Sequence, residues 1–187
     1  FDRYNLIRVG VDGSSNPTNV QIHDNYLSRT AAQYYLYVIA SVTNTVDATC
    51  NWFSTNVAGD VASRVVAAGS VNYLPYLNDG TDTDGGAVGF VPTMGACTGC
   101  PGGLLVTNTN TGKTFCSIQA AIDDVTTLSG HVILVSAGTF TEDVLITKSL
   151  TLKGANAGIA CGDGARGAET IIQPATSGQT PIRLSGY

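Results

Sequence analysis

The chain has 187 residues and a net charge of −5, with 43% of its residues apolar and only 12% charged. Its nine Lys and Arg residues form no basic stripe, which excludes a reader of nucleic-acid backbones. No apolar run approaches the roughly 20 residues of a membrane-spanning helix, and 22 glycines among many Thr, Asn, Ser and Val residues favour strands and tight turns over helices.

From the N-terminus, strands are expected at Asn5–Val11, Asn19–Asn25, Tyr34–Ala40 and Val46–Asn51. Val20 and Ile22 alternate with Gln21 and His23, so one face turns to a core and the other to water. The same alternation puts Tyr35 and Tyr37 on one face and Tyr34 and Leu36 on the other. One pair then fills the core or a subunit contact, and a sugar-stacking ledge is the competing reading. Trp52, Phe53 and the Val71–Leu77 stretch with Pro75 close the regular texture, because proline cannot donate to a central ladder.

Residues 78–103 are rich in Gly, Thr, Asp and Pro and are expected to form a linker or surface excursion. Within it Asp79, Asp82 and Asp84 alternate with Thr and Gly, a pattern whose carboxylates suit a calcium ion. It lacks the spaced glutamate of an EF-hand, and a flexible acidic linker is the plainer reading.

A helix is expected next: Ile118, Ala121, Ile122, Val125 and Leu128 recur at helical spacing, with Ser117 as N-cap and Gly130 as the stop. Short apolar runs follow at His131–Val135, Asp143–Thr147, Leu150–Lys153, Thr170–Gln173 and Pro181–Leu184. Neither an Asn-Gly or Asp-Gly hairpin turn nor a crossover helix joins these runs, so they are expected to wind as successive coils of a parallel β-helix, a solenoid. Glu142 and Asp143 read as solvated turn residues, and Asp123 and Asp124 as the polar face of the helix.

Five cysteines in such a chain point to an oxidising compartment. The spacing of Cys97 and Cys100 would also suit half of a zinc site, but Cys50, Cys116 and Cys161 stand alone in sequence and supply no second pair. Disulfides are therefore expected, with Cys97 and Cys100 able to close a small loop. At least one thiol is left free or pairs with another chain. The start at Phe1, with neither a start methionine nor a signal peptide, reads as a processed product or a piece of something longer.

The stretches Thr114–Asp124, Val132–Val144 and Ile146–Gly154 together resemble the first coils of pectin-lyase-like right-handed β-helices, including pectin methylesterases. Their cap helix, Gly-Thr-Phe-Thr-Glu turn and Lys-Ser-Leu-Thr-Leu-Lys-Gly strand come in the family's order. Val46–Phe53, Val71–Leu77 and Asp79–Asp84 are similar to the closing coils of β-helix domains in large bacterial surface and secreted proteins. The comparable stretch there reads Asn-Asn-Trp-Trp-Gly, where this chain has Cys50, Asn51, Trp52, Phe53 and Ser54. The resemblance implies an all-β fold, a right-handed parallel β-helix with one short capping helix. Closing coils would occupy residues 1–77, the linker 78–103, and the cap helix with opening coils 104–187.

An ending that precedes a beginning suits one period of a tandem array or a subunit completed by its neighbours. The expected function is a non-catalytic, extracellular structural or adhesive module that stacks with copies of itself along the coil axis, with cell-surface glycans as a further partner. The alternative is a fragment of a polysaccharide-processing enzyme. In pectin methylesterases the two carboxylates and the arginine lie on later coils than those matched. Polygalacturonase-like hydrolysis asks for clustered Asp residues and a Gly-His-Gly turn, whereas His23 and His131 sit within strands; lyase chemistry asks for a basic residue beside calcium carboxylates. No catalytic residue is expected, and no cofactor other than calcium.

Overall fold

The computed structural model describes residues 5–11, 14–28, 34–85, 89–162 and 164–185. Phe1, Gly86 and Tyr187, which entered the reading of the termini and the acidic run, lie outside them. Among the described residues short strands dominate, with two α-helices, and the chain divides into two compact units, Phe1–Gly99 and Cys100–Tyr187. The boundary falls inside the stretch expected to be a linker.

In the first unit, β1 (Asn5–Val9), β2 (Tyr34–Val38) and β4 (Val65–Ala67) form a parallel sheet in that order, with Ile7 beside Leu36 and Leu36 beside Val65. A second parallel ladder joins Gln21 to Asp47 of β3 (Val46–Asp47), and β3 to β5 (Val71–Asn72). A third aligns Tyr26 with Trp52 in parallel, and the Leu77 N–H of β6 (Tyr76–Leu77) donates to the Asn51 carbonyl at 3.0 Å. The chain thus passes three ladders in the same order in three successive tiers. Period-two alternation guides what each tier buries: Leu36, Val38, Val46 and Ala48 of the middle tier are fully enclosed, while Tyr37 between Leu36 and Val38 is only partly covered. Full burial of a Leu or Val side chain contributes about 1.5–3 kcal/mol.

Two backbone features let the tiers stack closely. Gly69 donates its N–H to the Val38 carbonyl at 2.9 Å, and a Cβ there would stand 2.2 Å from the Ile39 carbonyl oxygen, so only glycine fits. Asp24 and Cys50, at matching turns of successive tiers, both take left-handed φ (59° and 55°) and are followed by Asn25 and Asn51. The Asn51 side chain is fully buried and donates to the Ala48 carbonyl at 2.8 Å and to the Ile22 carbonyl. Its Oδ1 accepts from the Asn25 N–H and side-chain amide, at 3.1 and 3.0 Å. This amide stack satisfies turn groups that burial would otherwise strand.

The sequence reading did not anticipate α1 (Ala58–Arg64). It carries Asp60 in its first turn and Arg64 in its last, each matched to the helix dipole, and buries Val61. Arg64 donates to the Phe53 carbonyl and its guanidinium lies 5.0 Å from the Tyr35 ring centroid. Nor is the stretch after Asn78 a bare linker. Strand β7 (Cys97–Gly99) pairs antiparallel with β6, and the Asn78 N–H donates to the Ala96 carbonyl at 2.9 Å.

The second unit opens with a 3-10 turn at Pro101–Gly103 and an antiparallel hairpin of β8 (Val106–Asn108) and β9 (Thr114–Phe115), whose turn uses Gly112 at φ 74°. Helix α2 follows at Ile118–Asp123 with Ser117 as N-cap, its hydroxyl accepting from the Ala120 N–H at 3.1 Å. The helix is shorter than its periodicity suggests, and Val125 and Leu128 are exposed. The Asp124 side chain turns the chain by accepting from the Thr126 N–H (2.9 Å) and hydroxyl, which competes with another helical turn.

Two tiers come next: β10 (Val132–Val135), β11 (Gly138–Thr141) and β12 (Val144–Ile146), then β13 (Thr151–Lys153), β14 (Thr170–Gln173) and β15 (Ile182–Leu184). Each strand of the first pairs in parallel with its counterpart in the second: β10 with β13, β11 with β14 and β12 with β15. Hairpin strand β8 lies antiparallel on the other edge of β10. Val106, Ile118, Ala121, Ile122, Ile133, Val135, Phe140 and Val144 form the core. Gly138–Thr141, read from sequence as a turn, is strand β11.

Candidate functional site

Within the acidic run, Asp79 and Asp82 reach across to Thr93 and Val91. Asp79 Oδ1 accepts from the Thr81 N–H and hydroxyl at 2.9 and 2.7 Å, and Oδ2 accepts from the Thr93 hydroxyl at 3.1 Å. Asp82 Oδ1 accepts from the Val91 N–H at 3.1 Å. These donors, from the Thr81 hydroxyl for Asp79 and the Val91 amide for Asp82, hold both carboxyls below the usual aspartate range. The observed oxygens thus tie residues 79–82 to residues 91–93. Among the described residues, no three His, Cys, Asp or Glu side chains, Asp84 included, converge as ligands around one point.

The cysteines pair in a way the spacing did not suggest. Cys50 bonds Cys97 and Cys100 bonds Cys116, so Cys97 and Cys100 do not close a loop with each other, and Cys161 is an exposed free thiol. Extended backbone explains the separation. Cys97 lies in β7 and Cys100 continues extended at φ −124°, ψ 144°, so side chains an odd number of residues apart leave on opposite faces.

Glu142 and Asp143, read from sequence as solvated turn residues, are partly exposed and each also fastens another segment of the second unit. Glu142 accepts from the Ile118 and Gln119 N–H groups at 2.9 and 3.0 Å, placing a carboxylate on the N-terminus of α2. At the other end Lys148 Nζ donates to the carbonyls of Ile122 (2.6 Å) and Asp124 (3.1 Å). Glu142 and Lys148 thus supply a charge for each end of the helix, of the sign its dipole favours. Glu142→Gln and Lys148→Met should each lower stability by about 1–2 kcal/mol in urea unfolding; unchanged midpoints would show that water replaces both contacts.

Asp143 accepts from the Thr176 hydroxyl at 2.6 Å and from the Ala175 N–H at 3.1 Å, fastening the turn between β14 and β15. The Thr176 hydroxyl, with the two backbone amides and Arg183, outweighs desolvation and lowers its pKa. A carboxyl whose folded pKa is depressed contributes stability above its unfolded pKa, and that contribution disappears as pH falls through the folded value. Thermal stability should therefore fall as the pH drops below the ordinary aspartate range of about 4, and less steeply in Asp143→Asn. Parallel curves for the two proteins would remove Asp143 from the acid response.

Asp124 receives both the Thr126 contacts and Lys113 Nζ (3.1 Å), while Asp123 Oδ1 accepts from the Gln119 side-chain amide at 2.9 Å. His131 Nδ1 lies 3.0 Å from the Asn108 amide, and His23 Nδ1 lies 2.7 Å from Asp24. Tyr35 is nearly buried under Arg64, whereas Tyr34 and Tyr37 are partly exposed with ring centroids 6.4 Å apart. The three tyrosines thus divide between core and surface instead of forming one ledge.

Among the described residues, the last tier of the second unit and part of the first tier of the first unit are less covered than the tiers beside them, although Val9 and Leu27 of that first tier are buried. In the second unit, Ile133, Phe140 and Val144 of the first tier are enclosed, yet their register partners Leu152, Ile172 and Ile182 are only partly covered, and Leu184 is 67% exposed. In the first unit, Leu36, Val46 and Ala48 are enclosed while Ile7, Val20 and Ile22 of the first tier are partly covered. The opposite ends are closed, by the β8–β9 hairpin and α2 in one case and by β7 with its Cys50–Cys97 bond in the other. Sequence reasoning located many of the strands, though not β4, β7, β8, β9 or β11, and gave no measure of this asymmetry, which depends on stacking.

No protein-family model matches the chain, and no solved structure matches it. A 55-residue stretch is 53% identical to a protein named cell surface glycoprotein from Methanothermus fervidus. The match spans 29% of the chain and 9% of that protein. No helix among the described residues is long and apolar enough to cross a membrane.

Proposed function

We propose that this chain is an extracellular cell-surface module, non-catalytic, in which both units are coils of a right-handed parallel β-helix. The observation that carries the reading is the register. Three ladders recur in one order through three tiers of one unit and two of the other, with every pairing between tiers of β1–β5 and β10–β15 parallel. Coils of this kind satisfy backbone hydrogen bonds from tier to tier and suit fibres, sheaths and stalks. Two disulfides agree with an oxidising exterior, and the local identity to a cell-surface glycoprotein agrees with a place on the surface.

Antibodies raised against the chain should label intact source cells. Labelling that appears only after permeabilisation would sink the surface assignment. Polygalacturonate or methylated pectin incubated with the protein should gain no new reducing ends, unsaturated product or free methanol; release of any of these would restore the enzyme reading. The coil arrangement has its own check, because Thr139 and Ile171 are register partners on exposed positions of adjacent strands. A Thr139→Cys/Ile171→Cys chain should be bridged internally by a short dithiol-reactive linker, and failure to bridge would refute the tiers.

A further inference from the structure

We infer that Asp84 is a site of spontaneous backbone modification, at which the chain passes through a succinimide to a β-linked isoaspartate, while the fold shields Asp79 from the same reaction. The sequence holds four Asp-Gly pairs: Asp12–Gly13, Asp79–Gly80, Asp84–Gly85 and Asp163–Gly164. Asp12, Gly13 and Asp163 lie outside the described residues; the middle two pairs lie within them. A glycine after the aspartate favours the reaction, because no side chain crowds the attacking amide and the backbone rotates freely.

Water is the one co-reactant. The Gly85 nitrogen gives up its proton and attacks Cγ of Asp84; a C–N bond forms, the C–OH bond of the carboxyl breaks, and water leaves. Water then opens the ring at one of its two carbonyls. Opening at the former main-chain carbonyl leaves Gly85 joined through Cγ and frees an α-carboxylate, whereas opening at Cγ restores aspartate. Nothing is oxidised or reduced, and the mass ends where it began.

The two pairs differ in how readily the ring can close. Both carboxylate oxygens of Asp79 are held, Oδ1 by the Thr81 N–H and hydroxyl and Oδ2 by the Thr93 hydroxyl. Gly80 lies against the partly covered Trp52, so closely that a Cβ there would run into the indole ring. Ring closure at Asp79 would break three hydrogen bonds and move Gly80 against that ring. Its donors also favour the ionised carboxylate, the form that parts with oxygen less readily. Around Gly85, by contrast, a Cβ would meet nothing within 4 Å, and Asp84 and Gly85 are both exposed. The contacts of Asp84 with Asp82, through its N–H at 3.5 Å and its side chain, run to a residue two positions back in the same loop.

The consequence follows from where Asp84 stands. The Thr83 N–H and hydroxyl donate to the Val91 carbonyl at 2.9 and 3.0 Å, and the Val91 N–H donates to Asp82 Oδ1 at 3.1 Å. Asp84 lies beyond this crossing, so one added backbone carbon lengthens the turn and leaves the crossing intact. The modified chain stays folded and accumulates with age.

The full chain is aged at neutral pH with gentle warming, both folded and unfolded in guanidinium with its disulfides reduced. Electron-transfer fragmentation, which yields ions specific to the β-linkage, then locates isoaspartate residue by residue. The folded chain should carry several-fold more at Asp84 than at Asp79, and the two should converge in the unfolded chain. Asp84→Glu should remove the signal from this loop, and ageing should leave the Trp52 unfolding midpoint unchanged. Equal amounts at the two residues of the folded chain, or none at Asp84, would overturn the inference. A contrast that persists after unfolding would overturn the shielding by the fold, and a midpoint that falls as isoaspartate rises would overturn the placement of Asp84 beyond the crossing.

Discussion

Replacing Cys50 and Cys97 together with Ser should cost the first unit about 4 kcal/mol, the largest loss expected from any change considered for this chain. The bond joins residues 47 apart in sequence, against 16 for Cys100–Cys116, and the loop entropy withheld from the unfolded chain grows with loop length. The shorter loop corresponds to about 3 kcal/mol. Location adds to the effect. Cys50 sits at a turn where its N–H donates to the Pro75 carbonyl at 2.8 Å, and Cys97 lies in the strand that closes that end of the unit. The chain has one tryptophan, Trp52, two residues from Cys50, so its fluorescence reports unfolding of the first unit. Urea titration should show the midpoint of that signal falling sharply in the double variant, and reductant should reproduce the fall in the unaltered protein. A loss below about 1 kcal/mol would mean that the hydrogen bonds around β6 and β7 close the end without the covalent tie.

How much of this was legible beforehand follows from which interactions are local. Strands with period-two alternation, such as Tyr34–Val38 and Val132–Val135, were visible because each residue's direction is set by its own backbone. The α2 N-cap was visible for the same reason, since Ser117 reaches only three residues ahead. Its C-terminal end was misjudged because Val125 and Leu128 hold the helical spacing, yet the Asp124 side chain offers the backbone a competing turn. Helix α1 was missed because seven residues containing Gly59 make a weak periodic signal. Asp60 and Arg64 at its two ends were the available clue.

The less legible features join residues far apart in sequence. The disulfide partners depend on which tier each cysteine reaches, so the proximity of Cys97 to Cys100 misled. Glu142 looked like a turn residue because its partners, the first amides of α2, lie more than twenty residues back. Open and closed ends are properties of stacking: Val144 and Leu184 are both apolar and both near the third ladder, yet one is enclosed and the other two-thirds exposed. That difference is set by which tier lies over each strand, and no motif encodes it.

Asn51 offers the sharpest test of the stacked turns. Substitution by Ala should cost about 3 kcal/mol, while Asn25→Ala should cost about 1 kcal/mol or less, although the two residues occupy matching turns. The asymmetry comes from water. Asn51 is fully enclosed, so its loss leaves the Ile22 and Ala48 carbonyls and the Asn25 amide donors short of a partner that solvent cannot readily replace. Asn25 lies at the exposed end of the stack, where its amide reaches the His23 carbonyl and Asn51 Oδ1, and water can take over both. Asn51→Asp sharpens the comparison, because it keeps an acceptor for Asn25 but removes the donors and introduces a carboxylate into an enclosed site; it should be at least as damaging as Ala. All three are read from the urea midpoint of the fluorescence of Trp52, one residue from Asn51. Equal losses at Asn25 and Asn51 would show that the turn is wet throughout and that the amide stack does not fix the spacing between tiers.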